Sequence, residues 1–167
     1  MENFDKAFSI LLTCEGGYSN DPNDSGGATK YGISQKSYPT LDIENLTIDQ
    51  AKQIYLDNYW NPLQCDKLPY PVAALLFCEA VNMEGSGSKG VAVQLLQEAV
   101  GATQDGIMGQ QTIGLTNAHQ SATLCDLLGA LFATRYTNLK EFPTYGKGWL
   151  TRLFKIQRQI FSDNGNT

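Results

Sequence analysis

The chain has 167 residues, 12 Lys and Arg against 17 Asp and Glu, a formal charge of −5, 42% hydrophobic residues and one histidine. That length suits one domain whose core needs no disulfide or metal staple, and an acidic balance without a Lys/Arg run speaks against nucleic acid or an anionic membrane surface as the main partner. A single imidazole leaves little for a His-rich zinc site or a Ser/His/Asp centre, and no apolar run approaches the ~20 residues that span a bilayer.

The first predicted element covers residues 4–15, where Phe4, Phe8, Leu11 and Glu15 recur at spacings of four, three and four. This is an amphipathic helix that Gly16-Gly17 ends. From Tyr18 to Ser34 the periodicity gives way to Asn-Asp-Pro and Ser-Gly-Gly turn chemistry, which predicts a long loop or a small hairpin. Thr47-Ile48-Asp49-Gln50 fits a capping box, and the helix after it turns Ala51, Ile54, Tyr55 and Tyr59 inward. Pro69 and Pro71 open the next helix, whose run Val72 to Cys78 is apolar on every side and marks it as central.

Gly85-Ser86-Gly87-Ser88 reads as a connector, with Ser88 capping a helix over 89–100 that Gly101 closes. His119 lies in a polar connection and reads as a solvated loop residue. Ser121 caps a longer segment to about residue 141, and Trp149 to Phe161 forms the last helix. Cys14, Cys65, Cys78 and Cys125 form no Cys-x-x-Cys pair and sit mostly among apolar neighbours, as reduced core residues do. The expected fold is mainly α, a single domain of about six helices with one glycine-rich loop or β-hairpin after the first.

Glu15 stands out chemically. It falls on the apolar stripe of its helix and in the last turn, where burial and the negative end of the helix dipole both favour the uncharged acid that a general acid must be. The plain alternative is a frayed end whose carboxylate meets solvent or loop N–H groups. Asp21 and Asp24 sit in turns that Asp favours in any case. A buried acid, a second carboxylate and the hydroxyls of Thr29 and Ser34 nevertheless make up the inventory of inverting glycoside hydrolysis, one acid for the leaving oxygen and one base for a water.

The run Glu15-Gly16-Gly17-Tyr18-Ser19-Asn20-Asp21-Pro22-Asn23-Asp24-Ser25-Gly26-Gly27-Ala28-Thr29-Lys30-Tyr31-Gly32-Ile33-Ser34 resembles the signature of glycoside hydrolase family 108, the N-acetylmuramidases of phage endolysins and bacterial secretion-activator-like proteins. Asp57-Asn58-Tyr59-Trp60 and Leu76 to Asn82 are similar to the family's middle, Gln94 to Thr112 to its peptidoglycan-binding segment, and Tyr145 to Arg152 to its closing motif. The resemblance implies a lysozyme-like helical fold over 1–167, with the catalytic motif and central helix in 1–84 and a peptidoglycan-binding helical segment in 85–167 packed on it. It also implies cleavage of the β-1,4 bond between N-acetylmuramic acid and N-acetylglucosamine.

Related phage lysozymes use Glu-x8-Asp-x5-Thr, and the spacing here is Glu15-x8-Asp24-x4-Thr29. Glu15 is then the acid, Asp24 the base and Thr29 the hydroxyl that positions water, with Asp21 a rival base. Asp21, Tyr31, Asn82 and Trp149 are the expected substrate contacts, the two aromatics stacking on sugar rings. Asp105-Gly106-Ile107-Met108-Gly109 also resembles a repeat of noncatalytic wall-binding domains, or is a capped turn. The chain departs from the family at Cys14, Cys78 and Met83-Glu84.

The implied partner is the peptidoglycan glycan strand, with no nucleic acid, no membrane anchor, no metal and no cofactor, and the enzyme is expected to be a monomer. The N-terminus shows no secretory leader, so the expectation is synthesis in the bacterial host cytoplasm and action on the cell wall or periplasm. Holin-dependent release, as for an endolysin, is the expected route, and a secreted effector the alternative. A noncatalytic wall-binding module and a lytic transglycosylase are the competing functions, and an endopeptidase using His119 is a remote third.

Overall fold

The structure, a computed structural model, describes residues 1–15, 18–19, 27–83 and 88–162. In chain order these form α1 (Glu2–Cys14), β1 (Thr29–Lys30), β2 (Ile33–Ser34), α2 (Ile48–Tyr55), α3 (Tyr70–Asn82), α4 (Ser88–Val100), α5 (Gln110–Ala118), α6 (Ser121–Thr137) and α7 (Phe142–Ser162). α2 runs on into a π-helical turn over Leu56–Trp60, and a 3-10 turn at Cys65–Lys67 leads to α3. The mainly α expectation holds, with seven α-helices among the described residues.

β1 and β2 pair antiparallel in the register Thr29 to Ser34 and Lys30 to Ile33. Tyr31 and Gly32 between them have φ of 55° and 77°, the two left-handed residues a two-residue hairpin turn requires. Thr47 accepts from the Gln50 N–H while Gln50 reaches back, so the capping box forms as expected.

α3 is the central helix. All ten residues from Val72 to Val81 are buried, because the helix packs against α1, α4, α6 and α7. Phe77 meets Phe4, Tyr55 and Trp60 edge-on at centroid distances of 5.8, 6.2 and 5.6 Å, so one ring from α3 joins α1, α2 and the π turn.

Several boundaries differ from the sequence expectation. α5 was not expected, and its sequence explains why: Gln110-Gln111-Thr112-Ile113-Gly114 carries too few apolar residues to show a helical period. α6 is capped by Gln120, whose side chain accepts from the Thr123 N–H, and Ser121 is already helical. α6 ends at Thr137, and α7 begins at Phe142, seven residues before Trp149. Pro143 lies in the first turn of α7, where a missing N–H has no partner to lose.

α4 starts at Ser88, one residue early, and Gly101 closes it with φ of 71°. The expected stop Gly16-Gly17 and most of the expected connector lie outside the described residues. His119 is exposed and caps the end of α5, with Nδ1 2.7 Å from the Leu115 carbonyl oxygen. Cys65, Cys78 and Cys125 are buried free thiols, whereas Cys14 is half-buried at the end of α1.

The Asp105–Gly109 segment is a capped turn. Buried Gln97 donates to Asp105 Oδ1, the Ile107 carbonyl and Thr112 Oγ1 at 2.7, 3.1 and 3.2 Å, and accepts from the Gly106 N–H at 2.9 Å. One side chain therefore ties α4 to the turn and to α5.

Candidate functional site

The site forms where the first and last helices meet. Glu15 is the residue just past α1: its N–H still bonds to the Leu11 carbonyl, but φ of −85° and ψ of 146° turn the chain out of the helix. It is thus the C-cap rather than a member of the last turn. Its side chain is 15% exposed, and Oε1 accepts from Arg152 Nη2 at 2.6 Å. Arg152 lies on α7, 137 positions away and 18% exposed. Burial of this guanidinium disfavours its charge, but Glu15 outweighs burial and the Arg152 pKa lies above its ordinary value.

The hairpin turn closes on the other side of Glu15. A Cβ at Gly32 would stand 2.7 Å from Cδ and Oε2 of Glu15 and from the Tyr55 hydroxyl. Glycine is therefore required there twice, for its left-handed φ and for contact with the carboxylate. The Tyr55 hydroxyl donates to the Tyr31 carbonyl at 2.9 Å. Burial, and then the Glu15 charge, raise the phenol above its ordinary 10, so Tyr55 keeps the proton it donates to that carbonyl.

Behind Arg152 lies a second acid. Glu79 is fully buried on α3, its Oε2 accepting from the Tyr136 hydroxyl and its Oε1 without a partner among the described residues. Asn82 Nδ2 donates to the same Tyr136 oxygen at 2.7 Å. Burial lifts the Glu79 carboxyl to about 7, against the smaller opposing pulls of Tyr136, Arg152 and Asn82. Arg152 Nε is likewise buried and unpaired. The guanidinium thus bonds one carboxylate and feels the field of another.

Of the sequence-predicted residues, Thr29 is half-buried on β1, its hydroxyl donating to the Gly27 carbonyl at 3.3 Å. Tyr31 sits at the hairpin turn with Lys30 Nζ 5.7 Å from its ring centroid. Asn82 and Trp149 converge on Tyr136, Trp149 lying 5.5 Å from it and 6.0 Å from the exposed Tyr145. Trp149 sits within α7 rather than in a polar loop, so the aromatic surface it offers is a helix face. Asp21 and Asp24 lie outside the described residues.

Arg152 and Glu79 were not nominated from the sequence. Arg152 gives no local signal, since its partner is at the other end of the chain. Glu79 does: it is the one charged residue between Val72 and Val81, and a lone acid in a buried helix needs a reason.

Next to Glu15 a groove of about 530 Å³ runs between Thr13 and Cys14 of α1 and the Lys147, Gly148, Arg152 and Lys155 face of α7. Among the described residues, no group of three or more His, Cys, Asp and Glu is placed to hold a metal.

Residues 8–84 match the family model of glycosyl hydrolase 108. The chain is also similar to the solved structure of Brucella abortus SagA, with a TM-score of 0.83 and 29% identity over 96% of this chain and 95% of that one. No curated protein matches. The mainly α, lysozyme-like fold implied by the sequence resemblance is therefore present, and the segment bearing Glu15, the hairpin and α3 is the part of the chain that matches the glycosyl hydrolase 108 model.

Proposed function

We propose that this chain, a glycosyl hydrolase 108 sequence over residues 8–84, is a muramidase that cleaves the β-1,4 bond between N-acetylmuramic acid and N-acetylglucosamine in peptidoglycan. The observation that supports it best is Glu15 itself: a mostly buried carboxylate at the end of α1, inside the family segment, gripped by Arg152 and walled by Gly32.

In this reading Glu15 is the general acid. Arg152 occupies Oε1, and the proton for the leaving oxygen is delivered from Oε2. Asp24 is the base that directs water to the anomeric carbon from the opposite face, Thr29 positions that water, and the outcome is inversion. Two carboxyl groups and a water suffice, so the reading calls for no cofactor. The target lies outside the cytoplasmic membrane, and no helix among the described residues is long and apolar enough to cross one. Holin-dependent release of a monomeric endolysin is the delivery route that goes with this proposal.

The test is mass spectrometry of soluble fragments from purified peptidoglycan after reducing-end labelling. Wild type should release reducing N-acetylmuramic acid ends, with the inverted anomer appearing first when unlabelled product is followed by NMR during turnover, and Glu15→Gln and Asp24→Asn should lower the rate by at least about 100-fold. Full activity in Glu15→Gln overturns the assignment of the acid. Anhydro ends would make the enzyme a lytic transglycosylase, and wall binding without fragments would leave a binding module.

A further inference from the structure

α7 is electrostatically unlike the rest of the molecule. Between Phe142 and Ser162 it carries Lys147, Arg152, Lys155 and Arg158 and no Asp or Glu, so the remaining chain holds eight Lys and Arg against seventeen Asp and Glu. Three of those four cations line the groove beside Glu15, and no carboxylate lines it among the described residues. Lys147 has no hydrogen bond or ion pair within the described residues. Lys155 uses one of its three donors on the Thr13 carbonyl and keeps two. An open groove lined by one sign of charge still draws in ligands of the other sign.

The shape narrows the class. Lys147 and Lys155 are eight positions apart on one helix, which at ~1.5 Å per residue separates them by roughly 12 Å. An anion that meets both is extended, and at ~3.3–3.6 Å per residue that span corresponds to about three or four residues of peptide. The volume, about 530 Å³, is that of a small-ligand site. Gly148 lies between the cations in sequence, and a Cβ built there would meet nothing within 4 Å, which leaves the groove floor open.

Position decides the source. The sugar whose bond Glu15 breaks, under the muramidase reading on which this step rests, is N-acetylmuramic acid, which carries the peptide stem through its lactyl ether. The stem must therefore leave the strand within a few residues' reach of Glu15, and the groove begins at Cys14 and Arg152, its sequence neighbour and its ion-pair partner. We infer that the α1–α7 groove is a subsite for the carboxylate-bearing peptide stem of the muramoyl residue, with Lys147 and Lys155 as its anion contacts.

The test compares teichoic-acid-free sacculi carrying intact stems with the same glycan after an amidase has removed the stems. Wild type should show a kcat/KM at least tenfold higher on the stem-bearing strand. Lys147→Gln should bring that ratio down several-fold, and Gly148→Glu, which sets a carboxylate on the open floor at a helix position that accepts it, should reduce it further. Lys6→Gln, which removes the same charge at the far end of α1, should leave the ratio at the wild-type value. Equal cleavage of the two substrates by wild type, or a ratio unmoved by Lys147→Gln and Gly148→Glu, overturns the subsite while the muramidase reading stands. Cleavage only of walls that keep their teichoic acid would assign the groove to a phosphate polymer instead. Release of no reducing ends from either strand removes the muramidase reading and the subsite with it.

Discussion

Gly32 shows how closely the hairpin and the acid are fitted. Gly32 and Gly101 both have a left-handed backbone, with φ of 77° and 71°, so an alanine at either place incurs a similar backbone strain of roughly 1 kcal/mol. They differ in surroundings: a Cβ at Gly101 meets nothing within 4 Å, whereas one at Gly32 presses on Glu15 and Tyr55 at 2.7 Å. Gly32→Ala should therefore lower hydrolytic activity by tenfold or more and destabilise beyond the strain shared with Gly101→Ala, whose activity should match wild type below its melting point. Turnover of purified peptidoglycan together with thermal melts of both variants measures this. Equal activities would mean that the hairpin does not position the carboxylate.

The same residues show what could be read in the sequence. Glu15 was legible because its spacing from Phe8 and Leu11 placed it on a buried stripe, and burial follows, at 15% exposure. Its partner was not, because periodicity describes one element at a time and Arg152 arrives by packing of α7 on α1. The sequence expectation that burial and a helix end surround Glu15 is therefore incomplete: a cation stands there too. The π turn after α2 likewise has no local pattern to announce it.

At the scale of elements, caps and apolar faces were readable and polar connections were not. The Thr47 capping box and the closing glycine of α4 are local chemistry and appear where expected. α5 escaped because what holds it is a hydrogen-bonded turn anchored from α4. Gln97, at 1% exposure, ties half-buried groups of the turn to Thr112, at 3% exposure, so replacing it leaves the buried Thr112 hydroxyl without that partner and frees the turn. Gln97→Leu keeps the side chain's size and removes all four bonds. It should cost roughly 1–3 kcal/mol in urea unfolding, because the loss is mainly the desolvation of the one buried group left unpaired, Thr112. A change under about 0.5 kcal/mol would show that water reaches the turn and replaces Gln97.

At the scale of the molecule, α3 makes the acid Glu79 a probe of the whole fold, since it meets α6 through Tyr136 and feels α7 through Arg152. In the unfolded chain this carboxyl titrates near 4.5, and in the fold at about 7. Between those values the folded protein holds a proton that the unfolded chain has released, so the contribution of Glu79 to stability falls as pH rises. It is fully present below 4.5 and lost by the time pH passes 7, a change of roughly 3 kcal/mol for a shift of this size. Glu79→Gln cannot titrate but can still accept from the Tyr136 hydroxyl. Its stability relative to wild type should therefore rise by roughly 3 kcal/mol between about pH 4.5 and about pH 8, read from urea unfolding across that range. Taking the difference between the two proteins cancels the titration of residues they share, so a flat difference would mean that Glu79 is ionised in the fold throughout. Its charge would then be balanced by Arg152, and the guanidinium would be neutralising two carboxylates at once.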